Sequence, residues 1–263
     1  MELLRESARN LGLCLTAEHV RAFQIYYQEL TAWNRRFNLT TVTGNEDVQI
    51  RHFLDSLTCL LAIPTSGFAG SSPEGIAAGQ PLPDVVPLSG RETPLLCIDV
   101  GTGAGFPGVP VKIMRPAMNM TLLDSSRKKI AFLEHLVSRL GLSGVELLWA
   151  RAEGAGQDAH YRQRYDLVLA RAVAELSVLA EYCLPLCRRG GFVVAQKGAE
   201  IEIEVQRAEG AIRLLGGELR EVKTLHLPRL RDPRSLVLIA KVNPTPAEYP
   251  RRPGVPKKHP LSG

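Results

Sequence analysis

The run Asp99-Val-Gly-Thr-Gly-Ala-Gly-Phe-Pro-Gly108 concentrates more potential chemistry than any other stretch of this chain. Glycines at 101, 103 and 105 permit positive φ and let backbone come close to a ligand. Phe106, standing before a proline, is expected to be extended, and Pro107 suits the first position of a helix. The apolar residues 95–100 read as a strand leading into the turn. A ligand there would meet a helix N-terminus at the carboxyl end of a strand, the usual site in open α/β sheets. The letters can also be cut as Gly103-x-Gly105-x-x-Gly108, a dinucleotide fingerprint. Asp124 lies about 20 residues further on, where an acid takes ribose hydroxyls in either case. The glycines therefore indicate a nucleoside cofactor without saying which.

Three features favour S-adenosylmethionine over a nicotinamide dinucleotide. Asp99 stands two residues before the first glycine, in the acid-x-Gly-x-Gly-x-Gly order of methyltransferases, where it can orient the turn. Arg151-Ala-Glu153 follows the third strand, where an adenine edge would lie. The last two strands have no helix between them, the usual ending of a Rossmann-like methyltransferase.

The elements that must hold these residues are legible from periodicity. Thr16 and Glu18 mark a helix start, and Val20, Phe23, Tyr27, Leu30 and Trp33 follow at helical spacing. A second helix begins near Asn45, with the stripe Ile50, Phe53, Leu54, Leu57, Leu60 and Leu61. Residues 64–94 are rich in Gly, Ser and Pro, without a sustained period, and read as a flexible insertion. Beyond it, strands are expected at 95–100, 120–124, 145–150, 166–170, 191–196, 218–227 and 235–241. Helices are expected to about 115, at 126–140 with Gly141 as cap, at 174–187 and at 199–215. This alternation predicts an α/β fold: a Rossmann-like, mostly parallel seven-stranded sheet with a C-terminal antiparallel strand, plus N-terminal helices. The expected divisions are a helical subdomain at 1–63, the insertion at 64–94, the Rossmann-like domain at 95–243 and a basic tail at 244–263.

Composition sets further bounds. With 263 residues, 45% of them hydrophobic and 22% charged, the chain reads as a globular protein. A net charge of +5 leans toward polyanionic partners. The five cysteines are scattered and lack metal-ligand spacing, so reduced thiols and no metal site are expected, with Cys183 and Cys187 able to share a helix face. No apolar run nears the ~20 residues needed to span a membrane. No signal-peptide order opens the chain, so a cytoplasmic location is expected.

Several stretches carry a family likeness. They are Trp33-Asn-Arg-Arg-Phe-Asn-Leu-Thr40, His52-Phe-Leu-Asp-Ser-Leu57, the glycine turn, Leu123-Asp-Ser-Ser-Arg-Lys-Lys129 and Arg151-Ala-Glu153. Ala170-Arg-Ala-Val-Ala174, Lys197-Gly198 and Tyr249-Pro-Arg-Arg-Pro-Gly-Val-Pro-Lys-Lys-His-Pro-Leu261 complete the set. In these the chain resembles the RsmG (GidB) family of 16S rRNA guanine-N7 methyltransferases. The resemblance implies methylation of one guanine, position 527 in the usual rRNA numbering. It implies cofactor contacts from Gly101, Phe106, Ala152, Glu153 and Arg171, with Asp124, Ser125 and Ser126 at the ribose and adenine. Asp99, Gly103 and Gly105 are expected to shape the same pocket. The insertion is longer than the family pattern.

Guanine N7 carries no proton at neutral pH, so no general base is required. Proximity should supply most of the catalysis, and no residue is singled out as catalytic. Arg35, Arg36, Lys197, Arg251, Arg252, Lys257 and Lys258 are the expected phosphate ligands, with the tail packing back near the cleft. The expected partner is 16S rRNA, or the 30S subunit or its precursor, bound by a monomer. His52 and Asp55 could pair along a helix face, and Trp33 and Phe37 read as core. Three other readings compete: a methyltransferase acting on another RNA site or a small molecule, a nicotinamide-dependent oxidoreductase, and a non-catalytic RNA-binding protein with a Rossmann shell.

Overall fold

A computed structural model describes residues 1–63, 94–199 and 201–261; all of the expected insertion but residue 94 lies outside them. The chain opens with two helices, α1 (Glu2–Asn10) and α2 (Ala17–Phe37). Thr16 caps α2 by accepting from the His19 amide, and the His19 ring returns the contact to the Thr16 amide. Asn38, left-handed at φ 48°, ends it. A third helical rod is continuous but not uniform. It starts as α3 (Asn45–Val48), widens into a π turn (Gln49–Leu54), returns as α4 (Asp55–Leu57) and tightens to a 3₁₀ turn (Thr58–Leu61).

The rest alternates: β1 (Leu96–Val100), α5 (Gly108–Met114), β2 (Asn119–Asp124), α6 (Arg127–Leu140), β3 (Val145–Trp149), α7 (Ala152–Gln157) and β4 (Tyr165–Arg171). Then come α8 (Leu176–Cys183), β5 (Cys187–Lys197), α9 (Glu202–Leu214), β6 (Gly217–Leu225), β7 (Arg234–Lys241) and the short α10 (Val255–Lys258). The seven strands take the order β3-β2-β1-β4-β5-β7-β6, and β7 runs antiparallel to both its neighbours. The expected helix at 174–187 is shorter. Pro185 follows the end of α8, and Cys187 opens β5 opposite Tyr165, so Cys183 and Cys187 share no helix face.

The topology places the cleft. From β1 the chain builds outward through β2 and β3, then returns past β1 to start β4 on its other edge. The connections leaving β1 and β4 part there, which opens a crevice at their carboxyl ends. Gly101 follows β1, and Arg171 ends β4. Side-chain alternation along β1 sends Ile98 and Val100 to the layer of α7, α8 and α9. Cys97 and Asp99 turn to the opposite layer, where Phe23, Phe53 and Leu57 of the N-terminal helices pack with Val109, Leu122 and Phe132. The N-terminal helices thus share one continuous apolar core with that face of the sheet.

All five cysteines are free; Cys14 is exposed and the other four are buried. Among the described residues there is no cluster of metal-ligating side chains, and no helix is long and apolar enough to cross a membrane.

Candidate functional site

The glycine turn is folded around its own hydrogen bonds. The amides of Gly101 and Thr102 both donate to Leu123 O, at 2.8 and 3.0 Å, tying the turn to β2. Gly103 N donates to Asp124 Oδ2 at 2.9 Å, and Gly105 N and Phe106 N both donate to Thr102 O. Gly101, Gly103 and Gly105 have φ of 70°, 63° and 97°, so each uses the freedom that marks it in the sequence. Tyr26 of α2 braces the turn from behind, its hydroxyl donating to Ala104 O at 2.5 Å.

Two expectations about this turn change. Pro107 is the N-cap of α5 rather than its first residue, and the Phe106–Pro107 bond is cis. The first helical amide, Gly108 N, donates to Asp99 Oδ2 at 2.8 Å, so the helix start is capped by the protein itself. Asp99 is therefore an internal brace, fully buried. Burial pushes it up to about 6, against the pull of the Thr102 hydroxyl and the Gly108 amide.

Beside the turn lies a cleft of about 340 Å³. Of the expected cofactor residues, Gly101, Asp124, Ser125, Ala152 and Glu153 line it. Asp99, Gly105 and Phe106 are buried behind the wall. Asp124 accepts from Gly103 N and Ser126 N at 2.9 and 2.8 Å, with Lys129 Nζ 3.5 Å away. An ionised carboxylate has about four lone-pair positions, so capacity remains for hydroxyls of a ribose. A Cβ on Gly154 would meet nothing within 4 Å, and one on Gly101 would crowd Val173 at 2.9 Å. A slot with backbone exposed on one side and a strand-end carboxylate on the other fits a nucleoside.

On the β4 side, Arg171 is the centre of a network that the sequence did not reveal. Its guanidinium donates to Asp55 Oδ2 and to Arg51 O, both at 3.1 Å, and its Cζ lies 5.0 Å from the Phe106 ring centroid. His52 stacks on the same ring at 4.5 Å and meets Thr40 Oγ1 through Nε2 at 2.7 Å. His52 and Asp55 are thus directed to other partners than each other. Burial, with the nearby Arg171 charge, pushes His52 down to about 4. Burial raises Asp55 more than Arg171 and Arg234 lower it. Asn34 bonds both backbone groups of Thr40, fixing the loop that carries His52's partner.

The basic candidates divide. Arg35, Arg36, Arg252, Lys257 and Lys258 are exposed. Arg251 instead grips Glu181, a fully buried carboxylate, with Nη2 at 2.6 Å and Nε at 2.9 Å. Lys197 Nζ lies 2.5 Å from Glu204 Oε1. The tail does pack back: Gly254 N donates to Glu153 Oε1 at 2.8 Å, and Arg162 donates to the carbonyls of Thr245, Pro246 and Tyr249. It does so through the short helix α10 and the turn before it. Trp33 packs on Phe132 and His135, as expected of core, but Phe37, the last residue of α2, is exposed and not core as expected.

A second groove, of about 390 Å³, lies at the opposite end of the strands around Thr121, Glu146 and Tyr165. It contains none of the glycine-turn residues, and the strand-end crevice is the one we assign to the ligand.

Comparison with known proteins agrees with this geometry. The family pattern of GidB, described as rRNA small subunit methyltransferase G, matches residues 19–69 and 84–235. A ribosomal RNA small subunit methyltransferase G of Pelotomaculum thermopropionicum is 47% identical over 260 residues, 99% of this chain and 98% of that one. Its namesake in Roseiflexus sp. is 46% identical over 261 residues, 99% of this chain and 100% of that one. A third, from Desulforamulus reducens, is 41% identical across 98% of this chain and 97% of that one.

Proposed function

The chain belongs to the GidB family, the rRNA small subunit methyltransferases G, and on that premise we propose that it methylates N7 of a guanine in 16S rRNA, position 527 in the usual rRNA numbering. It is a methyltransferase dependent on S-adenosylmethionine. Bound in the cleft, that cofactor supplies an electrophilic methyl group.

The family match carries the guanine-N7 reading, and the character of the cleft wall supports it. Among the described residues lining it there is neither a cysteine nor a histidine. Burial pushes the Cys187 thiol up to about 12 and raises Cys59, Cys97 and Cys183 as well. Attack through cytosine C5 requires a thiolate, which this wall does not offer. Guanine N7 brings its own lone pair and loses no proton, so the protein need only align it. Alignment of this kind is worth up to ~7–11 kcal/mol in favourable systems.

In this reading Asp124 takes the ribose hydroxyls, with Ser125 and Ser126 beside it. Gly101 and Ala152 let backbone approach the cofactor. Asp99, Gly103, Gly105 and Phe106 shape the turn, and Glu153 links the wall to the tail. Arg171 stands at the β4 side, where the base must enter. Arg35, Arg36, Arg252, Lys257 and Lys258 meet rRNA phosphates. The substrate is 16S rRNA, or the 30S subunit or its precursor, and the enzyme works as a cytoplasmic monomer.

Incubation with methyl-labelled cofactor and 30S subunits or 16S rRNA, followed by mapping of the label, tests the assignment. Label at guanine N7 in the decoding-region loop is the expected result. Transfer to another atom or nucleotide would refute it.

A further inference from the structure

Residues 172–175 join β4 to α8, which opens at Leu176, and form one wall of the cleft through Ala172 and Val173. Val173 is what a Cβ on Gly101 would strike, at 2.9 Å, so this wall sets the width of the slot beside the glycine turn. Ala172 has φ 53°, a left-handed conformation that L-residues avoid, so something must hold the segment in place.

At its front the segment is held by Arg171, through Asp55 and Arg51 O. At its back it is held by Lys197, the last residue of β5. Lys197 Nζ donates to Ala174 O at 2.7 Å and lies 2.5 Å from Glu204 Oε1. The same Glu204 oxygen accepts the Leu176 amide at 2.5 Å. One ion pair thus grips a carbonyl and an amide two residues apart. The Lys197 side chain is 11% exposed and points its charge into the fold, not toward a solvent-side phosphate.

We propose that Lys197 and Glu204 are positioning residues that hold the 172–175 wall against the Gly101 turn, and that Lys197 is not an RNA-phosphate ligand. The inference rests on the reading of this cleft as the cofactor site. The pair sets the width of the slot before either ligand arrives, which lowers the ordering cost of binding.

The two roles for Lys197 give opposite patterns in the full-length protein. Lys197→Met and Glu204→Gln should both weaken S-adenosylmethionine binding, measured by titration calorimetry. Both should lower kcat on the order of tenfold to a hundredfold, the scale of an ~1 Å displacement at a reacting centre. Lys197→Arg should recover much of both. RNA affinity and its salt dependence should stay at wild-type values. Val173→Ala alters the wall without touching the ion pair and should weaken cofactor binding in the same direction, which serves if either charge variant fails to fold. The proposal is overturned if Lys197→Met weakens RNA binding and reduces its salt slope by about 0.7 while Glu204→Gln leaves cofactor binding intact. Wild-type protein that binds no S-adenosylmethionine would instead overturn the reading of the cleft on which the proposal stands.

Discussion

Arg171 and Asp55 meet at 3.1 Å across 116 residues of sequence, joining the carboxyl end of β4 to the N-terminal helices. Their side chains are only 14% and 6% exposed, so Arg171 depends on Asp55 for compensation, while Asp55 also has Arg234 Nε at 3.5 Å. Asp55→Asn should cost about 3 kcal/mol or more, because it leaves the buried Arg171 charge without its carboxylate, and Arg171→Met should cost less, because Asp55 keeps Arg234 Nε at 3.5 Å. The double variant should cost clearly less than the sum. A urea-unfolding double-mutant cycle measures this, and strict additivity would show that the two groups do not interact.

His52 gives a pH signature of known sign. Its folded pKa of about 4 lies below the ordinary 6.5, so between these values the unfolded chain holds more protons than the native one. Stability contributed by neutral His52 is therefore complete above pH 6.5 and is lost as pH falls toward 4. Asp99, raised to about 6, works in the opposite direction over much of the same window, so the wild-type curve alone is ambiguous. The difference between wild type and His52→Gln isolates the histidine. Wild type should lose stability relative to the variant as the pH drops from 6.5 to 4, read from urea midpoints at each pH.

Two glycines with similar φ separate function from fold. Gly101→Ala would push a methyl against Val173 at 2.9 Å, whereas Gly141→Ala at φ 61° meets nothing within 4 Å. Both should cost about 1–2 kcal/mol from the left-handed backbone. Only Gly101→Ala should reduce cofactor affinity, by about tenfold or more as the wall is displaced, in calorimetric titration.

The basic tail should prove to be two populations of charge. Neutralising Arg252, Lys257 and Lys258, all exposed, should weaken RNA binding and reduce its salt slope by about 0.7 for each phosphate no longer neutralised. Arg251→Gln should leave that slope unchanged and lower the melting temperature, because it strands the fully buried Glu181. A salt slope that responds to Arg251→Gln would contradict this division.

What the sequence made legible was what is local. The glycine turn, Asp124 at the end of β2 and the Gly141 cap each follow from a few adjacent residues, and the strand alternation follows from period alone. The helical stripe from Ile50 to Leu61 shows in the sequence as a helix, but its π turn does not, since one extra residue per turn barely alters an apolar stripe. Charge partners were the larger gap. Arg251 and Lys197 have the look of free cations until Glu181 and Glu204, brought close only by the fold, are seen to hold them. Asp99 is similar. Its type and spacing point to the site, yet its strand position turns it inward, where it caps a helix instead of facing the cleft.

Arg162 fixes the tail through main-chain carbonyls alone: Thr245, Pro246 and Tyr249 beyond β7, with Gly156 in α7 completing the set. A hook that engages only backbone oxygens is indifferent to the side chains it passes. Arg162's hold is thereby independent of the side chains at those positions, while Arg251 on Glu181 and Gly254 N on Glu153 fix the stretch beyond it by contacts of their own.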